Sequence, residues 1–577
     1  MVGLKLNLDY YSGEDLYSDG DIENELLRMV GSNVDHSDIL ATDTRWPVLY
    51  HLSPVRRNVL EWYDFDGTAS LLEIGAGCGA LTGLFCEKNR DVVAVELSKR
   101  RAEIIAERHK ERSNLEIVVG NLNDIRFRQR FDFITLIGVL EYAGKFTRSS
   151  KPYHDFLEQV KGYLKPDGTL IIAIENKFGL KYWAGAKEDH TNRYFDGIED
   201  YPVNTGVRTF GKSELTELVH AAGFDHVSFH YPMPDYKLPL QVFSDSYLPR
   251  PGQIGNHFPN YDNDRFIMFN ERLAYDNLVR NGQFDFFANS FLVFCSKVHR
   301  PVTTIFSKFN RERLPRYQIE TSIRREKGVA TAVKKPLTPE ARAHIRTIGE
   351  NHDLLQRAYA DSGVVIAEPR AIGSNVGIRF VEGKSLDILL VESVISRDLP
   401  AFHALFDRYA GFVRGLPGPA RPDDAKSGTA RELFGEFPDF PDIHYAGIAN
   451  IDLKLDNMFV RDDGRFEIID YEWIYDVPVP VNFILYRSIR DFWCKYDEYL
   501  RNTVSRDELF ARHGIPEAER GAYDAMEKSF QAHVNGPDEK YRIRREYRKE
   551  IIHFSPNSTY SLKEIIRKPR LLFRRKK

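Results

Sequence analysis

The sequence predicts an α/β protein in which a unit built on a mostly parallel sheet is followed by a unit of α+β character and a basic tail. Three observations carry this. Through roughly the first 298 residues, short apolar strand patterns alternate with amphipathic helical patterns, the signature of parallel strands joined by crossover helices. From about residue 299 that alternation gives way to paired strands, a helix, and a loop dense in carboxylates. From about residue 536, Lys and Arg cluster between apolar residues.

A chain of 577 residues has length for two to four domains. Its formal net charge of −4 points to no global polyanionic partner. Cys78, Cys86, Cys295 and Cys494 show no paired spacing, so free thiols in a reducing cytoplasm are expected, with neither zinc nor a disulfide framework. The start, with Asp9, Glu14, Asp15 and Asp19, has no basic region leading into an apolar core, so no signal peptide is expected. No run reaches the roughly 18 apolar residues that span a bilayer. These features favour a cytoplasmic protein, peripheral to the membrane at most.

Residues 1–49 are polar and aromatic, with one short helix near 21–29, and are read as a cap or lid. Ser53-Pro54 is read as the cap and first position of a helix through Arg56, Arg57, Leu60 and Trp62. Leu71-Leu72-Glu73-Ile74-Gly75-Ala76-Gly77-Cys78-Gly79 then combines a buried strand, a turn without side chains and a helix start. Such a turn lets a nucleotide-like ligand lie against bare backbone. A second strand, Asp91-Val92-Val93-Ala94-Val95-Glu96, ends in an acid about 20 residues after the glycines, where a carboxylate accepts ribose hydroxyls. Ser98 caps the next helix; a third strand over 115–119 leads to Gly120-Asn121-Leu122-Asn123-Asp124, whose polar groups suit an adenine edge with Leu122 against the ring. A fourth strand over 131–137, the turn Leu164-Lys165-Pro166-Asp167-Gly168 and a fifth strand over 170–174 follow.

These motifs, in this order, resemble a class I S-adenosylmethionine-dependent methyltransferase over residues 50–298. The resemblance implies a Rossmann-like, seven-stranded domain whose last two strands, near 224–231 and 291–296, pair antiparallel around an insertion at 232–288. The glycine turn lacks the Gly-x-Gly-x-x-Gly spacing of dinucleotide enzymes, which counts against NAD. The family pattern places the donor's methionine end over Gly75 and Gly77, its ribose on Glu96 and its adenine near Asn121 and Leu122, with Glu73 and Gly79 in the same cofactor-binding set. The acceptor belongs at the C-terminal ends of the strands. There the segment from Glu175 through Trp183 to Asp189 and His190 suits a hydroxylated substrate. His190 or Asp189 is the candidate general base for a hydroxyl acceptor; a phosphate acceptor would need orientation and cationic help only. The segment also resembles one in methyltransferases of bacterial cell-surface polysaccharide synthesis.

In the second half, two strands meet at Arg324-Arg325-Glu326-Lys327-Gly328, the second carrying Lys334 and Lys335; a helix over 339–359 contains Glu350. Asn450-Ile451-Asp452-Leu453-Lys454-Leu455-Asp456-Asn457 precedes a strand, and a second strand carries Ile468-Ile469-Asp470-Tyr471-Glu472. This spacing resembles the catalytic core of protein-kinase-like phosphotransferases, a two-lobed α+β fold, and covers residues 299–535. The resemblance implies ATP and Mg²⁺: Asp452 accepting the proton of the attacking hydroxyl, Lys454 neutralising the moving phosphate, Asn457 and Asp470 holding the metal, and Lys334 on the ATP phosphates steadied by Glu350, with Lys335 as alternate. Asn450-Ile451 and Tyr471-Glu472 depart from the family pattern, and no glycine-rich loop or peptide-docking signal is visible. A small-molecule or glycan acceptor is favoured over a protein, and a degenerate fold stays open.

The tail, residues 536–577, intersperses Ile551, Ile552, Leu562, Ile565, Ile566, Leu571, Leu572 and Phe573 with Lys and Arg. It suits an anionic membrane surface; a nucleic-acid arm or a solvated end is the rival, and no groove-reading motif supports a nucleic acid. The domain order resembles the bifunctional chain-terminating enzymes of bacterial O-antigen polysaccharide. The expected acceptor is then a glycan or lipid-linked saccharide at the inner face of the plasma membrane, with glycosyltransferases as neighbours. A small-metabolite O-methyltransferase with a non-catalytic kinase-like fold, or a membrane-tethered scaffold, is the alternative.

Overall fold

A computed structural model of the chain describes residues 4–15, 17–32, 34–203, 205–254, 265–418, 428–437, 443–537 and 551–553. It divides into two compact units, residues 1–309 with 543–577, and residues 310–542. The apolar and basic side chains named above for the tail lie outside the described residues.

The first unit is an open sheet flanked by helices. Its strands are β1 (Lys5–Tyr10), β2 (Ser70–Ile74), β3 (Asp91–Glu96), β4 (Leu115–Gly120), β5 (Phe131–Ile137), β6 (Leu164–Glu175), β7 (His226–Met233), β8 (Gln241–Ser244), β10 (Ser290–Ser296) and β11 (Thr304–Phe309), with a short β9 (Arg265–Ile267) outside the sheet. They run in the order β1-β4-β3-β2-β5-β6-β10-β7-β8-β11. β1 through β6 pair in parallel and β10 is antiparallel to both β6 and β7. The seven expected strands are thus β2–β7 and β10, a mixed, parallel-rich sheet of Rossmann-like pattern. β1, β8 and β11 extend it at both edges. β1 went unread because its side chains are mostly exposed, leaving no apolar stripe to mark it.

β2 is buried along its whole length, as a central parallel strand covered on both faces must be. Leu71 and Leu72 are fully buried; truncating such a residue to Ala costs about 2–5 kcal/mol. β2 pairs β3 on one side and β5 on the other. Chain order therefore reverses direction across the sheet at β2/β5, and a crevice opens above their C-terminal ends.

The segment after Ser53 differs from the expected helix. Trp46–Leu52 is helical, but Pro54–Val59 forms only a 3₁₀ turn capped by Ser53. Side chains pin it instead: the Arg56 guanidinium donates to the carbonyls of Tyr236 (3.3 Å) and Lys237 (2.8 Å), and Asn58 donates to that of Pro239 (2.8 Å).

In the second unit β12 (Ile319–Glu326) and β13 (Val329–Pro336) form a hairpin. Its turn residues Lys327 and Gly328 have φ of 50° and 83°, the type I′ geometry that matches strand twist. After the short β14 (Val365–Ile366), β15 (Pro369–Ile372) and β16 (Asn375–Arg379) complete the order β12-β13-β16-β15, with the helix Ala341–Ala358 beside it. Helices Leu386–Ile395, Leu399–Arg414, Val481–Leu500 and Glu517–Asn535 enclose an aromatic-rich core including Phe402, Phe406, Tyr409, Phe492 and Tyr523. Strands Met458–Val460 and Phe466–Ile468 pair antiparallel, Met458 opposite Ile468. That pairing brings the loop before 458 and the loop after 468 to one end.

Candidate functional site

A cavity of about 440 Å³ opens at the C-terminal ends of β2, β3, β4 and β5 in the first unit. Its floor is the glycine turn. Gly75, Gly77 and Gly79 have φ of 72°, 58° and 74°, which glycine adopts without a Cβ penalty. A Cβ on Gly75 would lie 2.5 Å from Val139 Cγ2, whereas one on Gly77 would meet no atom within 4 Å and project into open space. The Gly77 amide donates to Glu96 Oε2 (2.7 Å) and the Ser98 amide to Oε1 (3.0 Å). Burial raises the pKa of Glu96 although Arg101 and these amides oppose it. Asn121 and Leu122 line the same cavity. Glu73 also borders it, but its carboxylate accepts from the Thr82 hydroxyl (2.6 Å); burial pushes its pKa up to about 8. Glu73 thus braces the start of the following helix from beneath the turn.

The N-terminal segment supplies one wall. Tyr17, Asp19, Trp46, Tyr50 and His51 line the cavity. Arg101, beside Glu96, ties this segment down through ion pairs of 2.7 Å to both Asp19 and Glu23.

The opposite end is dense in charge. Asp189 is buried and ion-paired to Lys181 (2.7 Å) and Lys237 (2.8 Å), and accepts from the Tyr182 hydroxyl. Burial opposes its charge, but the two lysines outweigh it and hold the pKa well below the ordinary value. His190 Nε2 lies 3.3 Å from Glu175 Oε2 and 3.9 Å from Glu141 Oε1, and Nδ1 lies 3.1 Å from the Tyr142 hydroxyl. Burial disfavours its imidazolium, yet Glu175 and Glu141 prevail and raise the pKa to about 9. Neither expected base stands free: Asp189 is held between the ammonium groups of Lys181 and Lys237, and His190 faces Glu175 and Glu141. Sequence reading passed over Glu141. It is fully buried, both carboxylate oxygens lack a hydrogen-bond partner, and burial pushes its pKa up to about 8. Its signal was position, directly after the C-terminal end of β5. Asn176, by contrast, donates to the carbonyls of Phe286 and Ala288 (2.7 and 2.8 Å) and is structural.

The second unit gathers its own cluster. Lys334 Nζ meets both oxygens of Asp470 (2.7 and 2.9 Å) and Glu472 Oε2 (3.1 Å). Asp452 accepts from the Trp473 amide (2.6 Å), and Asn457 donates to the Asp452 carbonyl (3.0 Å). Burial, then the neighbouring Asp470 and Glu472, push the Asp452 pKa up to about 7. Lys454 reaches Asp491 at 3.6 Å. Glu350 is a correction: it sits on the exposed face of its helix, and Glu472, held by Arg313 and by His344 (2.8 Å), meets Lys334 instead. Lys335 lies 3.7 Å from Glu320.

Residues 72–170 match the family described as a methyltransferase domain. The chain is 30% identical over 139 residues to an uncharacterized methyltransferase of Staphylococcus carnosus, covering 24% of this chain and 60% of that protein. It is 29% identical over 84 residues to ribosomal RNA small subunit methyltransferase A of Syntrophus aciditrophicus, covering 15% and 28%. The chain thus spans less than two thirds of either relative. Among solved structures, the N-methyltransferase NodS from Bradyrhizobium japonicum is 19% identical, covering 21% of this chain and 67% of that one with a TM-score of 0.20. The family match and the parallel-rich sheet agree: the first unit contains a methyltransferase domain over residues 72–170.

Proposed function

We propose that the first unit is an S-adenosylmethionine-dependent methyltransferase acting on a cell-surface glycan or its phosphorylated end, and that the second is an ATP- and Mg²⁺-dependent kinase-like unit working on the same acceptor. The observation that carries the first part is the pairing of the open, positive-φ Gly77 with the buried Glu96 on the floor of one cavity. The residues present fit that donor. Each Glu96 oxygen accepts one backbone amide and retains a lone pair for a ribose hydroxyl; Gly75 and Gly77 leave backbone bare where the methionine end would lie; Asn121 and Leu122 stand where adenine would. When bound, the donor supplies a methyl group on a sulfonium, which leaves S-adenosylhomocysteine once an acceptor atom has taken it. The acceptor would enter beside Glu141, His190 and Lys237, a polar end suited to hydroxyls or a phosphate.

The second part is favoured by the Lys334, Asp470 and Asp452 cluster. Lys334 would hold the ATP phosphates, Asp470 and Asn457 the metal, and Asp452, with its raised pKa, the proton of the attacking hydroxyl. Glu472 replaces Glu350 as the orienting acid. Among the described residues no helix is long and apolar enough to cross a membrane, so docking at the inner face, next to glycosyltransferases, would fall to the tail. The test is calorimetric binding of S-adenosylmethionine to wild type and Glu96→Ala, followed by methyl transfer to lipid-linked and soluble glycans with and without ATP. Loss of donor binding in Glu96→Ala is expected; a wild type that fails to bind the donor would end this reading.

A further inference from the structure

At the acceptor end of the donor cavity, three potential ligand atoms converge. Glu141, Glu175 and His190 each present one such atom within 4.8 Å of the others. Glu141 is the informative member. A carboxylate with no exposed surface and no hydrogen bond to either oxygen is costly to bury. His190 is its nearest cation, and at 3.9 Å that contact is too long for a hydrogen bond.

The neighbours of the trio are arranged as an outer shell. Lys237 Nζ takes Glu175 Oε1 (2.9 Å), which turns Oε2 toward His190. The Tyr142 hydroxyl, itself 3.2 Å from that of Tyr17, meets His190 Nδ1, which turns Nε2 toward the two carboxylates. The His190 amide donates to Glu188 (2.8 Å) and fixes the backbone. Metal-binding histidines are oriented in this way, by a partner on the second ring nitrogen.

The geometry points to a divalent cation site formed by Glu141, Glu175 and His190 Nε2 at the acceptor end of the methyl-donor cavity. One imidazole with two carboxylates suits Mn²⁺ or Mg²⁺ over softer-ligand metals. The ion would give Glu141 the partner it lacks. Glu141 and His190 both line the cavity, so the ion's remaining positions would face it. Oxygen atoms of an acceptor, adjacent sugar hydroxyls or a phosphate, would complete the coordination, and a metal-bound hydroxyl is more acidic than a free one. Its use in catalysis rests on the methyltransferase reading; its existence does not.

The test is Mn²⁺ titration of the full chain, read as loss of the free-ion electron paramagnetic resonance signal. It is made in an Asp470→Asn background, so that the carboxylate cluster of the second unit is not counted. One saturable site per chain is expected, weakened at least tenfold in Glu141→Gln and in His190→Gln. Tyr142→Phe, which keeps all three ligands, should weaken it by about tenfold or more, a graded effect that a fold defect would not produce. The cooperative thermal unfolding transition of each variant, followed by circular dichroism, serves as the folding control; should Glu141→Gln fail it, His190→Gln carries the test. No saturable uptake, or uptake unchanged in the ligand variants, overturns the site and leaves a metal-free acid–base trio. Uptake that persists in a parent unable to bind S-adenosylhomocysteine would strike the methyl-donor reading and uphold the ion site.

Discussion

At Gly75 and Gly77 a side chain would fail for different reasons. Both have positive φ, where an L-residue costs roughly 1–2 kcal/mol. Gly75 adds a collision with Val139 at 2.5 Å, while Gly77 faces only the cavity. Gly75→Ala should therefore lower the melting temperature more than Gly77→Ala does. Gly77→Ala should hold its fold, yet bind S-adenosylhomocysteine at least tenfold more weakly, because its methyl group occupies the ligand's space. Differential scanning fluorimetry with calorimetric binding separates the two. Glu73 makes a pH prediction. Its folded pKa, about 8, lies above the ordinary value of 4.5 because burial dominates; Thr82, Arg56 and Arg108 oppose the rise and Glu96 adds to it. A raised pKa contributes stability that is complete below about 4.5 and is lost as pH rises toward 8, at up to about 1.4 kcal/mol per pH unit. Glu73→Gln keeps an acceptor for Thr82 and cannot ionise. The melting temperature of the wild type should fall relative to that of Glu73→Gln between pH 5 and pH 8; parallel curves would show that Glu73 does not titrate there.

Among elements, those that face both sheet layers were legible in the sequence because burial leaves no choice of composition. β2, β3 and β5 are near-continuous apolar runs, and their order with the glycine turn and Glu96 marks where the cavity opens. What escaped was set by side chains meeting across long sequence separations. Glu141 acquires meaning only beside Glu175 and His190, and Asp189 loses its basicity through Lys181 together with Lys237, 48 residues away. Glu350 was avoidable. The buried face of its helix runs through Ala341, His344, Ile345, Ile348, Asn351 and Leu355, an i, i+3, i+4 stripe that position 350 falls outside. The N-terminal segment offers a test at this scale. Arg101 is mostly buried and its two ion pairs bind that segment to the helix Lys99–Arg108. Arg101→Met would leave Asp19 and Glu23 without their cation, a change that costs about 3–5 kcal/mol when a buried pair is broken. Faster proteolytic cleavage around residues 13–20 and at least tenfold weaker donor binding are expected. Unchanged cleavage with unchanged affinity would mean that this wall is held by its apolar contacts alone.

For the whole molecule, each unit holds its own polar cluster, and on the proposed reading two ligands should stabilise the chain independently. A ligand that binds only the folded state adds RT ln(1 + [L]/Kd), about 2.7 kcal/mol at a hundredfold excess over Kd. S-adenosylhomocysteine should raise the melting temperature of wild type and Asp470→Ala alike, and do nothing for Glu96→Ala. Mg-ATP should raise that of wild type and Glu96→Ala, and do nothing for Asp470→Ala. The second half of this pattern is the sharper. Lys334 is ion-paired to Asp470 and Glu472, so these residues would hold Mg-ATP only if the ammonium turned to phosphate and Asp470 to the metal. A unit that can make that exchange binds Mg-ATP and loses it with either partner, so Lys334→Met should match Asp470→Ala. If Mg-ATP leaves every variant unchanged while S-adenosylhomocysteine behaves as expected, the cluster is a structural ion-pair network, and the proposal of phosphorylation falls while that of methyl transfer stands.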